Sequence, residues 1–155
     1  MKHGLLIPSA GIDESNSEQD QFILFPKDPF ASAKRLHDEL AKKLKLSNLG
    51  VIITDSCPPP LRMGVIGVSL AHWGFKPTRS FVGAKDLFGR KLSMTRVNLV
   101  DSVAAMAVLS MGEANESRPL AIVEGVELEF TDATSLAEIA IKSEDDLYSP
   151  LFKKR

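Results

Sequence analysis

Several residue types are scarce in this 155-residue sequence, and each scarcity narrows the class of protein. The chain has one cysteine, Cys57, which excludes an internal disulfide and fits a reducing compartment. Aromatic residues make up 6% of the chain and the formal net charge is −1, which argues against a general nucleic-acid binder. The longest apolar run, 97–111, is interrupted by polar residues and is shorter than the roughly 20 residues of a membrane span. We therefore expect a cytoplasmic protein with no nucleic-acid and no membrane partner.

The common sequence signatures of nucleotide and metal sites are also missing. The chain contains neither GxxxxGK[ST] nor GxGxxG. Its histidines, His3, His37 and His72, are too far apart to show the spacing of metal ligands. Cys57 has no activating base in its sequence context, so a thiol nucleophile is not favoured.

What is present is the composition of one globular domain over residues 1–155, with 44% hydrophobic and 25% charged residues. Asp28-Pro29 is a helix-start signal. The segment 99–111 is apolar on nearly every side, which predicts a helix buried on all sides and ended by Gly112. In chain order, the patterns predict strands at 4–7 and 22–25, a helix from 29 to about 48, strands at 51–54 and 65–70, a connector at 76–96, the helix at 99–111, a strand at 120–123 and a weak helix at 136–141.

Charge is unevenly distributed along the chain. Residues 57–100 contain seven bases and one acid, whereas residues 124–146 contain eight acids and one base. Two interpretations stay open at this point. The charged segments are solvated faces, or the basic segment receives a polyanionic ligand.

Acidic and polar side chains occupy three separate places that suit a ligand site. Asp13 and Asn16 lie in a long polar loop, Asp55 and Ser56 end an apolar strand, and Glu113 follows Gly112. Carboxylates with a nearby hydroxyl are hard oxygen ligands for Mg²⁺ or Mn²⁺ bridging phosphates. Taken one at a time, the acids are better explained without a ligand, Asp13 as a turn former, Asp55 as a strand-end cap and Glu113 as a solvated residue.

Five ordered segments resemble the coenzyme F420-0:L-glutamate ligase family. They are GLLIPSAGIDESN from Gly4, VIITDS from Val51, Leu61-Arg62-x-Gly64, KDLFGRKL with Thr95, and Asp101 followed by AAMAVLSMGEANESRP. The resemblance runs in order from about Gly4 to Ile122. It implies an α+β fold with mixed sheets and a buried apolar helix, of which this chain would be the C-terminal part.

The resemblance also implies an activity and a site. Members use GTP to phosphorylate a carboxylate, and the amino group of L-glutamate then attacks the acyl phosphate. Carried over residue by residue, the metal ligands would be Asp13, Asp55, Ser56 and Glu113, and the catalytic residues Asp55 and Arg62. The nucleotide-binding residues would be Asn16, Met111, Gly112, Glu113, Ala114, Asn115, Glu116, Ser117 and Arg118.

The implied cofactors are GTP as a substrate, Mg²⁺ or Mn²⁺, and K⁺; the implied partners are L-glutamate, a polyanionic carboxylate acceptor and a second copy in a homodimer. Pro58-Pro59-Pro60 replaces the family's Gly-Arg-Pro, and Glu113 replaces its usual Gln. The proline change is similar to a bacterial branch assigned to folate metabolism, so both a deazaflavin and a folate-like acceptor stay open. The alternative hypothesis is a non-catalytic remnant of the fold, acting as a dimerisation or partner-binding module.

Overall fold

The computed structural model of the chain describes Leu5, residues 7–142 and residues 144–152. Its strands are β1 (Ile12–Asp13), β2 (Ile23–Leu24), β3 (Val51–Cys57), β4 (Ile66–Trp73), β5 (Thr78–Ser80) and β6 (Arg96–Asn98). Its helices are α1 (Pro29–Leu44), α2 (Leu99–Met111) and α3 (Ser149–Phe152), with 3₁₀ turns at Pro8–Gly11 and Leu136–Glu138. Of the strand expected at 4–7, residues 4 and 6 lie outside the described residues. No helix among the described residues has the length and apolar character needed to cross a bilayer.

Within the part of the chain that the structure describes, six strands form three two-stranded sheets, which confirms the α+β class. The pairs are β1–β2, β3–β4 and β5–β6, and each is antiparallel. We expected mixed sheets, but within the described ranges no parallel pair is found.

The core lies between β4 and the two long helices. Its fully covered apolar side chains are Ala33, Leu70, Ala71, Phe75, Val100, Val103, Ala104 and Val108. A bulge at Leu70 shifts the register, because Ile53 pairs with Ala71 and Thr54 pairs with Ser69. Beside the bulge, the Ser69 amide donates to Asp101 Oδ1 at 2.8 Å, which attaches the first turn of α2 to the sheet.

Helix α1 starts at the predicted signal. Asp28 Oδ1 accepts a hydrogen bond from the Ala31 amide at 2.9 Å, and Pro29 occupies the first helical position. The helix ends at Lys45, which adopts a left-handed conformation. Its buried side chains are Pro29 and Ala33, while the leucines at helical spacing remain 39–56% exposed: Leu36, Leu40 and Leu44.

Helix α2 has the predicted bounds and ends at Gly112, whose φ is +87°. Asn98 caps its start by accepting from the Asp101 amide. The prediction that it is buried on all sides is wrong, since Met106 is 50% exposed and Leu109 is 87% exposed. The physical reason is that the sheets pack against one side of α2 and no described element covers its other side, so the apolar residues there stay exposed.

The predicted connector at 76–96 contains β5 and ends at the first residue of β6, and the sequence pattern indicated neither strand. Hydrogen bonds continue the pairing beyond β5 and β6, from the Phe81 amide to Thr95 O and from the Gly83 amide to Leu92 O. The segment is therefore a β-arm, and Phe88 near its tip is 83% exposed. Strands of three residues are too short for an alternating pattern to identify.

Two predictions toward the C-terminus are not borne out. Residues 120–123 form no strand, and Leu120 and Ile122 are 87% and 90% exposed. The expected helix at 136–141 is a single 3₁₀ turn, Leu136–Glu138. An apolar run becomes a strand only beside a partner, and no described strand pairs with this one.

The chain leaves much apolar surface uncovered. Its accessible surface is 12122 Å², whereas a compact monomer of 16.9 kDa has about 7700 Å². The excess is larger than the roughly 1000–2500 Å² that one partner contributes to a large obligate interface.

Candidate functional site

Three of the separated sequence segments meet around one cavity of about 1100 Å³. Its walls come from the β1–β2 ribbon, from β3 and from the turn that follows α2. Of the predicted site residues, those that line it are Asp13, Asn16, Asp55, Ser56, Met111, Gly112, Glu113, Ala114, Asn115, Glu116, Ser117 and Arg118. The structure thus brings together residues that lie about a hundred positions apart in the sequence.

Asp13 ends β1 and is held by its own loop. Its Oδ1 accepts two hydrogen bonds at 2.8 Å, one from the Ser15 amide and one from the Ser15 hydroxyl. These bonds favour the charged carboxylate and lower the pKa of Asp13. Asp13 is therefore an anchored anion at the edge of the cavity.

Asp55 and Ser56 lie within β3 rather than after its end, because the strand continues to Cys57. Burial raises the pKa of the Asp55 carboxyl, and the negative charges of Asp13 and Glu113 raise it further. The Ser56 hydroxyl donates to Glu113 Oε2 at 3.0 Å, which joins the strand to the turn after α2. Asp55 thus lies within electrostatic range of both other carboxylates, and a cation beside it would relieve that repulsion.

The turn that carries Glu113 is held by two other side chains. The side-chain amide of Asn16 donates to Ala114 O at 2.9 Å, across 98 positions of sequence. Glu116 Oε2 accepts from the Ala114 amide at 2.8 Å. Both backbone polar groups of Ala114 are therefore bound by side chains.

The donor set suits a divalent cation in kind, although the acids do not converge on one point. Two aspartates, a glutamate and a hydroxyl are hard oxygen donors of the type that Mg²⁺ and Mn²⁺ prefer. Yet among the residues that the structure describes, no three or more His, Cys, Asp or Glu side chains stand near enough to hold one ion. The residues fit the chemistry of the ion, and the metal assignment stays a prediction.

The two predicted arginines occupy different surroundings. Arg118 lies on the cavity wall and is the one cationic side chain among its described lining residues. Arg62 lies in an exposed turn and is not part of that wall. Its assignment as a catalytic residue remains a prediction.

Three residues outside the predicted site set help to build the site. Ser15 anchors Asp13, Asp101 attaches α2 to β4, and Gly67 pairs with Ser56 across the sheet. A Cβ at Gly67 would lie 2.4 Å from Ala104 O and 2.7 Å from Val108, so α2 packs directly on this glycine. The Asp-x-Ser spacing of Asp13 and Ser15 is a sequence signal for the role of Ser15. The roles of Asp101 and Gly67 depend on tertiary contacts.

The α+β fold therefore places carboxylates, a hydroxyl and one arginine on the wall of a single cavity. The family model for F420-0:gamma-glutamyl ligase matches residues 1–125. The chain belongs to this family.

Curated relatives agree with the family model. Proteins named coenzyme F420:L-glutamate ligase are 39% identical over 144 residues in Methanocaldococcus jannaschii and 36% identical over 153 residues in Archaeoglobus fulgidus. The two alignments cover 93% and 99% of this chain, but 57% and 60% of the relatives. The chain therefore spans less than two thirds of the length of these relatives.

Proposed function

We propose that this chain acts as a GTP- and divalent-metal-dependent ligase that adds L-glutamate to a carboxylate acceptor. The observation that carries the proposal is the cavity whose wall carries Asp13, Asp55 and Glu113, in a chain of the gamma-glutamyl ligase family. The relatives' name, coenzyme F420:L-glutamate ligase, supports glutamate as the amino donor.

The reaction would proceed in two steps. The γ-phosphoryl group of GTP passes to the acceptor carboxylate, which yields an acyl phosphate and GDP. The amino nitrogen of glutamate then attacks the acyl carbon, phosphate leaves, and the nitrogen loses a proton as the amide forms. Phosphoryl transfer depends mainly on positioning and on neutralising charge.

The residues of the chain would divide these tasks. Asp13, Asp55, Ser56 and Glu113 would hold Mg²⁺ or Mn²⁺, which supplies charge neutralisation for the phosphates when it is bound. Met111–Arg118 would line the nucleotide site, with Arg118 facing phosphate oxygens. Arg62 would meet the acceptor carboxylate, and K⁺ would be a further bound cation.

Two features bear on the acceptor. The names of the relatives favour a deazaflavin precursor of the coenzyme. The run Pro58–Pro60 lies beside the cavity, with Pro58 on its wall, and it fixes the backbone where the family has a glycine and an arginine. A folate-like acceptor therefore remains the second candidate, and both are polyanionic carboxylates.

We further propose that the working protein is a homodimer. The large excess of accessible surface, the exposed β-arm and the uncovered side of α2 support association with a second copy. Because the chain spans under two thirds of its relatives, a second candidate function is a non-catalytic module that keeps only the associating surface.

Product analysis tests the ligase proposal. The protein would be incubated with GTP, Mg²⁺ or Mn²⁺, L-glutamate and either a deazaflavin or a folate acceptor, and the acceptor then weighed by mass spectrometry. The proposal expects a mass increase of one or more glutamyl residues that requires both GTP and metal. No increase on either acceptor, together with no GTP binding, would favour the non-catalytic module.

A further inference from the structure

We propose that Glu116 is a positioning residue for Glu113, and that it does not itself bind nucleotide or metal. The inference rests on the proposed function, and it refines the resemblance, which places Glu116 among nucleotide-binding residues. The observation behind it is that one oxygen of the Glu116 carboxylate already accepts a hydrogen bond from the backbone of its own turn.

The first contact is with Ala114. Glu116 Oε2 accepts from the Ala114 amide at 2.8 Å, which fixes the orientation of the peptide unit joining Glu113 to Ala114. The carbonyl of the same Ala114 accepts from Asn16, so this residue is held on both sides. Glu113 is the residue before it, and its carboxylate meets the Ser56 hydroxyl at 3.0 Å.

The second contact is with Gly112. A Cβ built on this glycine would lie 2.3 Å from Glu116 Cδ and 2.6 Å from its Oε2. The carboxylate therefore occupies the space that any side chain at position 112 would need. Because Gly112 also has φ +87°, the end of α2 and the Glu116 carboxylate form one unit, with Glu113 held between them.

The electrostatics agree with this arrangement. The hydrogen bond from the Ala114 amide, with a smaller one from the amide of Glu116 itself, lowers the pKa of the Glu116 carboxyl. A backbone donor can also be satisfied by a neutral amide oxygen, whereas a metal or a proton-transfer role needs the carboxylate charge. This difference separates a positioning role from a direct one.

The test compares Glu116→Gln with Glu116→Ala. Two readouts are measured for each: hydrogen exchange at the Ala114 amide by NMR, and affinity for GTP with Mn²⁺ by calorimetry. Glu124→Ala is the control, because Glu124 is exposed and does not line the cavity. Thermal melts confirm that each variant is folded.

A positioning role predicts that Glu116→Ala speeds Ala114 exchange by roughly 2- to 10-fold, as expected for one lost hydrogen bond, and weakens GTP binding. Glu116→Gln and the control should stay near wild type in both readouts. An unchanged exchange rate at Ala114 in Glu116→Ala would overturn the inference. So would a loss of GTP binding that is equal in both Glu116 variants, if Ala114 exchanges in Glu116→Gln at the wild-type rate. If the wild-type protein binds no GTP, the proposed function fails, and the exchange comparison alone decides the role of Glu116.

Discussion

Replacing Gly67 by alanine would force α2 away from the sheet that carries Asp55 and Ser56. The added methyl would stand 2.4 Å from Ala104 O and 2.7 Å from the Val108 side chain, and contacts below 3.0 Å require something to shift. The nearest atom belongs to the backbone of α2, so rotating a side chain cannot relieve it.

The magnitude follows from two opposing effects. Alanine in place of glycine reduces the entropy of the unfolded chain and stabilises the fold by about 0.5–1 kcal/mol where the site accepts it. Overpacking a closed contact costs about 1–3 kcal/mol. Crowding therefore dominates, and we expect a net loss of about 1–2 kcal/mol, or about 2–8 °C in Tm for a domain of this size.

Thermal denaturation followed by circular dichroism is the assay. Val65→Ala, just before β4 at a 47% exposed position, is the matched control and should change Tm little. Since Gly67 pairs with Ser56, whose hydroxyl meets Glu113, the same variant should also weaken GTP binding. A Tm equal to or above that of wild type would refute the close packing of α2 on this glycine.

Two further predictions concern stability. His72 is fully buried on β4 between the rings of Phe30 and Phe75, and this burial lowers its pKa below 6.5. The unfolded chain therefore binds the proton more readily than the folded chain. The free energy of unfolding should be at its full value above pH 6.5 and fall by up to about 1.4 kcal/mol per pH unit below it. Urea unfolding at pH 7.5 and 5.5 should show this loss in wild type and in His37→Gln but not in His72→Gln, and an unchanged loss in His72→Gln would contradict the assignment. Asp28→Ala removes the cap of α1 and should cost about 1 kcal/mol in the same assay, whereas no loss would show that the cap is dispensable.

Local rules predicted the parts of the fold that depend on local contacts. The start of α1 follows from Asp28 and Pro29, and the end of α2 from Gly112, because caps involve only neighbouring backbone groups. The run 120–123 looked equally like a strand, yet it pairs with no described strand. What decides such a run is the presence of a partner, and that information lies elsewhere in the chain.

The candidate site shows the same difference between what local sequence predicts and what depends on distant parts of the chain. The acids of the polar loop, of β3 and of the turn after α2 could be singled out from their residue types. Their assembly around one cavity depends on the bulge at Leu70 and on the packing of α2 on Gly67, which no spacing rule encodes. Within the sequence analysis, only the resemblance to a family indicated that these acids belong to one site.

Calorimetric titration with GTP, with and without Mn²⁺, tests most directly whether this cavity is a metal-dependent nucleotide site. The account predicts that wild type and the control Asp132→Asn, an exposed acid away from the cavity, bind GTP more tightly with the metal. Asp55→Asn should stay folded and lose that metal-dependent gain. Equal GTP affinity in wild type and Asp55→Asn, with metal present, would contradict the account.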